Sequence, residues 1–354
     1  MVTQKHWLGI SFGVSALALA GTLYFGPSGQ PVSAATITTP LEITAAPVFW
    51  VPEKPDEAEA GQLTFVGGLE LISDNSAFGG LSGLIVGNEG DALIAITDQG
   101  NWLTADLVWQ DGKPAALGNA LIAPIRDEKG APLDGKAEND AESLTVAHGG
   151  DPRTSPALVG FERHARILSF DLPSLGLDAP AQRVADFGVF KDLVNNSGLE
   201  AITLLPDGSL LALSEETLDD EGYIVGARLT QTEAIPVRLK QHRPYALTDI
   251  AQLPNGDLIT LERRYSTFGG VGMLLRRIPA SMLEGTEPLD GDILLEANSS
   301  RSIDNMEGLD IRTGPEGQTL LYLVSDDNFN PLQRTLLLVF ELQNFELQNF
   351  ELQD

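Results

Sequence analysis

Carboxylates recur at matching places along this chain. Glu200 and Glu215 frame the stretch Gly198-Leu199-Glu200-Ala201-Ile202-Thr203-Leu204-Leu205-Pro206-Asp207-Gly208-Ser209-Leu210-Leu211-Ala212-Leu213-Ser214-Glu215, two apolar runs joined by Pro-Asp-Gly. Asp-Gly between apolar runs predicts a β-hairpin, which folds the two acids side by side at its open end. The pattern returns with Asp249 and Glu262 about Pro254-Asn255-Gly256, with Glu307 and Asp326 about a longer turn, and with Glu142 and Glu162. A degenerate copy carries Ser82 and Asp98. Oxygen donors gathered in this way suit a hard cation, and calcium takes about 6–8 oxygens. The expected metal ligands are Glu142, Glu200, Asp249 and Glu307, joined by Asp98 and Asp326. The alternative for any single acid is a solvated blade edge or a bond to a turn amide.

Two of the second acids are followed by arginine, in Glu162-Arg163 and Glu262-Arg263. Guanidinium forks bind phosphate bidentately, so Arg163, Arg263 and Arg334 are candidates to hold an anionic substrate beside Glu162 and Glu262. Ion pairs that tie neighbouring blades together are the competing reading. His164 is a candidate general acid or base, with a structural role as its alternative. His148 and His242 have no metal-pair spacing, and Gly-x-Ser-x-Gly, phosphate-loop and dinucleotide motifs are missing.

The repeated hairpins must position these groups. Their starts at Ser82, Glu142, Glu200, Asp249 and Glu307 are 60, 58, 49 and 58 residues apart, near the ~40–50-residue period of propeller blades once loop insertions are allowed. Each interval has room for a second hairpin. The expected fold is all-β, a single β-propeller of six blades, closed by a C-terminal strand over residues 335–340. Five repeats are visible, and the sixth blade is expected from the termini. Helix should be scarce, with short turns near 187–193 and 279–283.

The expected division is a signal peptide over 1–35, a linker over 36–62, the propeller over 63–342 and a low-complexity tail over 343–354. Lys5 and His6 precede an uncharged apolar run over 8–25, and Pro31-Val32-Ser33-Ala34-Ala35 supplies small residues for cleavage. Export to the periplasm or beyond is therefore expected, with an uncleaved membrane anchor as the alternative. The tail repeats Phe-Glu-Leu-Gln-Asn with a period of five, matching neither helix nor strand. A polar loop fills the stretch from Ala123 to Asp140. Among 354 residues, 22 Lys and Arg face 50 Asp and Glu, a net charge of −28 that repels nucleic acid and anionic membranes. With no cysteine, disulfides and thiolate chemistry are excluded.

The chain resembles the phytase-like family, described by an esterase-like activity of phytase. The resemblance rests on Phe78-Gly79-Gly80-Leu81-Ser82-Gly83-Leu84, Asp140-Ala141-Glu142, Phe161-Glu162-Arg163-His164-Ala165-Arg166-Ile167 and Asn196-Ser197-Gly198-Leu199-Glu200-Ala201. It continues through Leu261-Glu262-Arg263-Arg264-Tyr265-Ser266, Asp304-Asn305-Met306-Glu307-Gly308-Leu309, Ser325-Asp326-Asp327-Asn328-Phe329-Asn330 and Gln333-Arg334-Thr335-Leu336-Leu337. The resemblance implies an exported propeller with phosphoester or ester hydrolase activity. Ser143 departs from the pattern, standing where Gly308 stands in its own repeat. The resulting expectation is a monomer that uses calcium to hydrolyse a small anionic ester at the channel. The alternatives are a non-catalytic exported propeller that binds a ligand or protein, and a metal-dependent carboxylester or lactone hydrolase.

Overall fold

The computed structural model describes residues 38–146, 150–191, 193, 198–266 and 269–343. The expected signal segment, His148, Asn196-Ser197 and the tail from residue 344 lie outside the described residues. The rest forms one β-propeller, with five blades where six were expected. The inner strands, in blade order, are Leu81–Val86, Ala141–Thr145, Leu199–Leu204, Ala246–Gln252 and Asn305–Thr313. Each leads outward through antiparallel neighbours, and each lies beside the inner strand of the next blade.

Among the described residues none remain to build a sixth blade, because the segments Leu63–Ile72 and Thr335–Leu342 together complete the fifth. That blade runs outward through Asn305–Thr313, Thr319–Asp326 and Thr335–Leu342, then accepts Leu63–Ile72 from the other end of the chain. Thr335 pairs with Leu71 and Leu342 with Leu63. Much of the expected linker is also sheet. Thr44–Val48 pairs with Leu63–Ile72, as does Glu59–Ala60, while Thr39–Pro40 edges the first blade. The helical elements are short: Lys136–Asn139, Leu172–Leu175, and 3-10 turns at Gly176–Asp178 and Ala280–Glu284.

Five hydrophobic clusters hold the ring, one between each consecutive pair of blades. Alternation along a strand sends its side chains to opposite faces, and here both faces are covered. Leu320, Tyr322 and Val324 pack towards the first blade, whereas Leu321 and Leu323 pack towards the fourth. This explains why these strands read as unbroken apolar runs. Trp50 and Phe65 meet Phe340 at the closing seam, with ring centroids 5.2 and 5.3 Å from it. Truncation of fully buried Phe340 to Ala should cost about 3–5 kcal/mol, read as a lowered denaturation midpoint. A cost below about 1 kcal/mol would mean that the seam does not hold the ring.

Candidate active site at the mouth of the channel

Each inner strand contains one extra residue relative to its partner. Pairing skips Ser82, Glu142, Glu200, Thr248 and Glu307 in the five blades in turn. A bulge of this kind leaves a residue unpaired and re-aims its side chain. Three of these residues are glutamates lining a cavity of about 290 Å3 at the mouth of the channel. The other two bear hydroxyls that tie blade to blade, Ser82 Oγ donating to Ala141 O at 2.5 Å and Thr248 Oγ1 to Met306 O at 3.2 Å. Both acceptors immediately precede a bulged glutamate.

The fourth blade therefore departs from the expected pattern by one residue in each strand. Asp249 lies past the bulge and outside the mouth, its carboxylate accepting from Ile250 N at 2.8 Å and Leu309 N at 2.7 Å. It clamps the fourth blade to the fifth. Glu262 turns into the blade, where it accepts from fully buried Arg276 and from Thr260 Oγ1. Arg263 takes its place at the mouth, beside Asp98, Glu162, Glu215 and Asp326 of the other four blades.

Arg163 also lines the mouth and donates to Asp140. His164 does not reach it, since its exposed ring meets Glu138, Nδ1 to Oε1 at 2.6 Å. Arg334 is likewise held elsewhere, with Nη2 on Ile303 O at 3.3 Å and its guanidinium near Asp304 and Glu70. Asp140, Lys136 and Asn328 line the cavity without having been expected as site residues. Asp140 and Asn328 left a trace in the sequence, within Asp140-Ala141-Glu142 and Ser325-Asp326-Asp327-Asn328-Phe329-Asn330, and Lys136 left none.

The glycines and small residues of the motifs shape this mouth. A Cβ on Gly80 would lie 2.2 Å from Asp98 Oδ1, and Gly80 N donates to Asp327 Oδ1 at 3.1 Å. Ser143 is accommodated because Gly160 faces it across the sheet. A Cβ there would lie 2.3 Å from the Ser143 hydroxyl.

One carboxylate oxygen each from Asp140, Glu142 and Glu162 lie within 4.8 Å of one another, and so do those of Glu162, Glu200 and Glu215. Glu162 belongs to both groups. In all, eight acids and three cationic side chains line the cavity. Asp98 Oδ1 is buried there with no hydrogen-bond partner among the described residues. Arg263 is the internal counter-charge, its Nε 3.1 Å from Glu307 Oε1 and its Nη2 3.2 Å from Glu215 Oε1. Asn305 joins the pair, accepting from Arg263 Nη1 and donating to Glu307 Oε1 at 2.8 Å.

Burial is the main force on the titration of these acids. It raises Glu142 and Glu200 well above the ordinary range, with neighbouring carboxylates adding to the effect. Burial also lifts Glu307 to about 8 against the pull of Arg263, and Glu162 to about 7 with help from Asp140. Asp326 rises to about 7 and Asp98 to about 6, again chiefly by burial. Acids whose pKa is higher folded than unfolded bind more protons in the folded state, so the protein loses stability as they ionise. Without added cation, the melting temperature should fall as pH rises from about 4.5 to about 8. Thermal scans across that range would show the fall. A flat profile would contradict the crowded carboxyls.

A second expectation separates the acids by place. Glu262→Gln breaks a buried ion pair and should cost about 3–5 kcal/mol while leaving calcium affinity unchanged. Glu200→Gln should weaken calcium binding measured by calorimetry, without a comparable loss of stability. If both variants bound calcium alike, the assignment of the two sites would fail.

Comparison with known proteins adds a family. The α-L-arabinofuranosidase PaAbf62A from Podospora anserina is 13% identical with a TM-score of 0.47, covering 79% of this chain and 97% of its own. The catalytic domain of a GH62 α-L-arabinofuranosidase from Coprinopsis cinerea gives 12%, 0.45, 80% and 97%. The RRP9 WD40 repeats give 9%, 0.36, 80% and 100%. At these values the likeness carries no argument about chemistry. A comparison with curated proteins finds no match. Residues 76–329, from just before the Phe-Gly-Gly turn to the loop after Asp326, match the phytase-like family described by the esterase-like activity of phytase, and the chain belongs to that family.

Proposed function

We propose that the mouth of the channel is a metal-assisted hydrolytic site for small anionic esters, phosphoesters first, with calcium as the cation. The observation that carries this reading is the pair of three-carboxylate groups that share Glu162, with Arg163 and Arg263 beside them. The donor set fits a hard cation: every donor is a carboxylate oxygen, and those of each group lie within 4.8 Å of one another. Glu142, Glu162 and Glu200 would hold it, supported by Asp140 and Glu215. When bound, the cation would supply Lewis-acid stabilisation of charge on the ester oxygens.

The chain's own residues supply the rest. Arg263 presents a fixed positive charge from the fourth blade, and Arg163 a second from the loop after Phe161. Both are placed to bind and orient the anionic group that the chain's overall charge would otherwise repel. Asp98 and Asp326 lie on the first and fifth blades and line the same cavity as the shared carboxylates of the second and third. With pKa values near neutrality they can accept the proton from attacking water and return it to the leaving oxygen. Water oxygen then bonds to phosphorus as the ester oxygen departs.

Export belongs to the same proposal, supported by the basic start, the apolar run over 8–25 and the small residues at 31–35. A monomeric hydrolase outside the cytoplasm would meet calcium at concentrations that fill a site of moderate affinity.

The assay is release of phosphate from aryl phosphates and phytate, run beside a carboxylester and lactone panel. Chelation should abolish turnover and calcium should restore it. Asp326→Asn should lower kcat and remove the limb of the pH profile near 7, while leaving calcium affinity in place. Turnover only on carboxylesters or lactones would shift the substrate class. No turnover on any member would leave a ligand-binding propeller.

A further inference from the structure

The channel has a second mouth. At the far ends of the inner strands, away from the carboxylates, lies another cavity of about 280 Å3. Ile85, Leu144, Ile250 and Ile311, from four different blades, give it aliphatic walls. Among its polar lining residues, Gln252 and Arg312 bring hydrogen-bonding groups that the described residues leave unused, and both are 8% exposed.

Arg312 donates through Nε to Asp310 Oδ2 at 2.8 Å, while its Nη1 and Nη2 have no hydrogen-bond acceptor among the described residues. Gln252 donates through Nε2 to Gly256 O at 3.3 Å, an orientation that leaves Oε1 buried without a partner among the described residues. A buried acceptor left unmade is costly, and water or a ligand hydroxyl would satisfy it. Asp310 is in turn fixed by Val86 N at 2.7 Å, so the ion pair spans the seam between the fifth and first blades. The carboxylate ring makes no use of these groups.

Charge selects among ligands. Asp310 already balances Arg312, and the chain carries −28, so a second carboxylate in the cavity meets repulsion that an uncharged oxygen avoids. The free guanidinium N–H groups call for an acceptor oxygen, Gln252 Oε1 calls for a donor, and the walls call for carbon. We propose that this cavity binds a small uncharged hydroxylated molecule of the diol or hydroxy-carbonyl class. One oxygen accepts from Arg312, a hydroxyl donates to Gln252 Oε1, and the carbon chain lies against the four aliphatic residues. The site stands apart from the hydrolytic reading, since none of its residues lines the other mouth.

Saturation-transfer NMR on the full chain, using 1,6-hexanediol, 1-hexanol and hexanoate as probes, tests this directly. The diol should give the strongest transfer and hexanoate the weakest. Gln252→Leu, which removes an unpaired acceptor and should fold normally by thermal scan, should reduce the diol to the level of 1-hexanol. The double variant Asp310→Asn with Arg312→Gln keeps the cavity neutral and should weaken the diol by about tenfold or more. Stronger binding of hexanoate than of diol would overturn the proposal. So would a diol signal lost in Arg263→Gln but retained in Gln252→Leu, which would place the molecule at the other mouth.

Discussion

The close approach of five inner strands around one axis governs this molecule. A Cβ on Gly308 would sit 3.2 Å from the backbone of Gly83, and one on Gly83 would sit 2.9 Å from Leu144 Cβ. Strands this near leave little room on the axis, and ordinary alternation would send every side chain into the seams between blades. The single extra residue in each inner strand escapes that alternation. Bulge and crowding together bring carboxylates from separate blades within a few ångströms, a geometry that no single hairpin could produce.

The resulting ring is not symmetric, and its asymmetry matters for chemistry. The second and third blades contribute the shared carboxylates, while the fourth contributes an arginine where the others have acids. Arg263 lies directly against that negative wall, 3.2 Å from Glu215 and 3.1 Å from Glu307, so one flank of the ring is neutralised from within.

The hairpins, the propeller and three of the channel glutamates were legible in the sequence, because turn chemistry and apolar runs are local signals. The slip in the fourth blade came from matching residues by type. Counted from the turns, Pro206 and Pro254 are 48 apart, which aligns Glu200 with Thr248 and Glu215 with Arg263, the alignment the structure has. The blade number was harder. The strand Leu63–Ile72 pairs locally with Thr44–Val48 and Glu59–Ala60, but its pairing with Thr335–Leu342 depends on closure of the whole ring. His164 shows a further limit: adjacency to a site residue in sequence does not carry a side chain to the same face.

The seam between the chain's two ends also orders events in time. Leu63 pairs with Leu342, 279 residues later, so blade five cannot close until nearly the entire chain is available. Long-range pairings of this kind form slowly. Glu307 and Asp326 belong to that last blade, so a chain still emerging from the ribosome holds only part of its carboxylate ring. The mouth comes into being with ring closure, and until then its acids remain scattered along an open polymer.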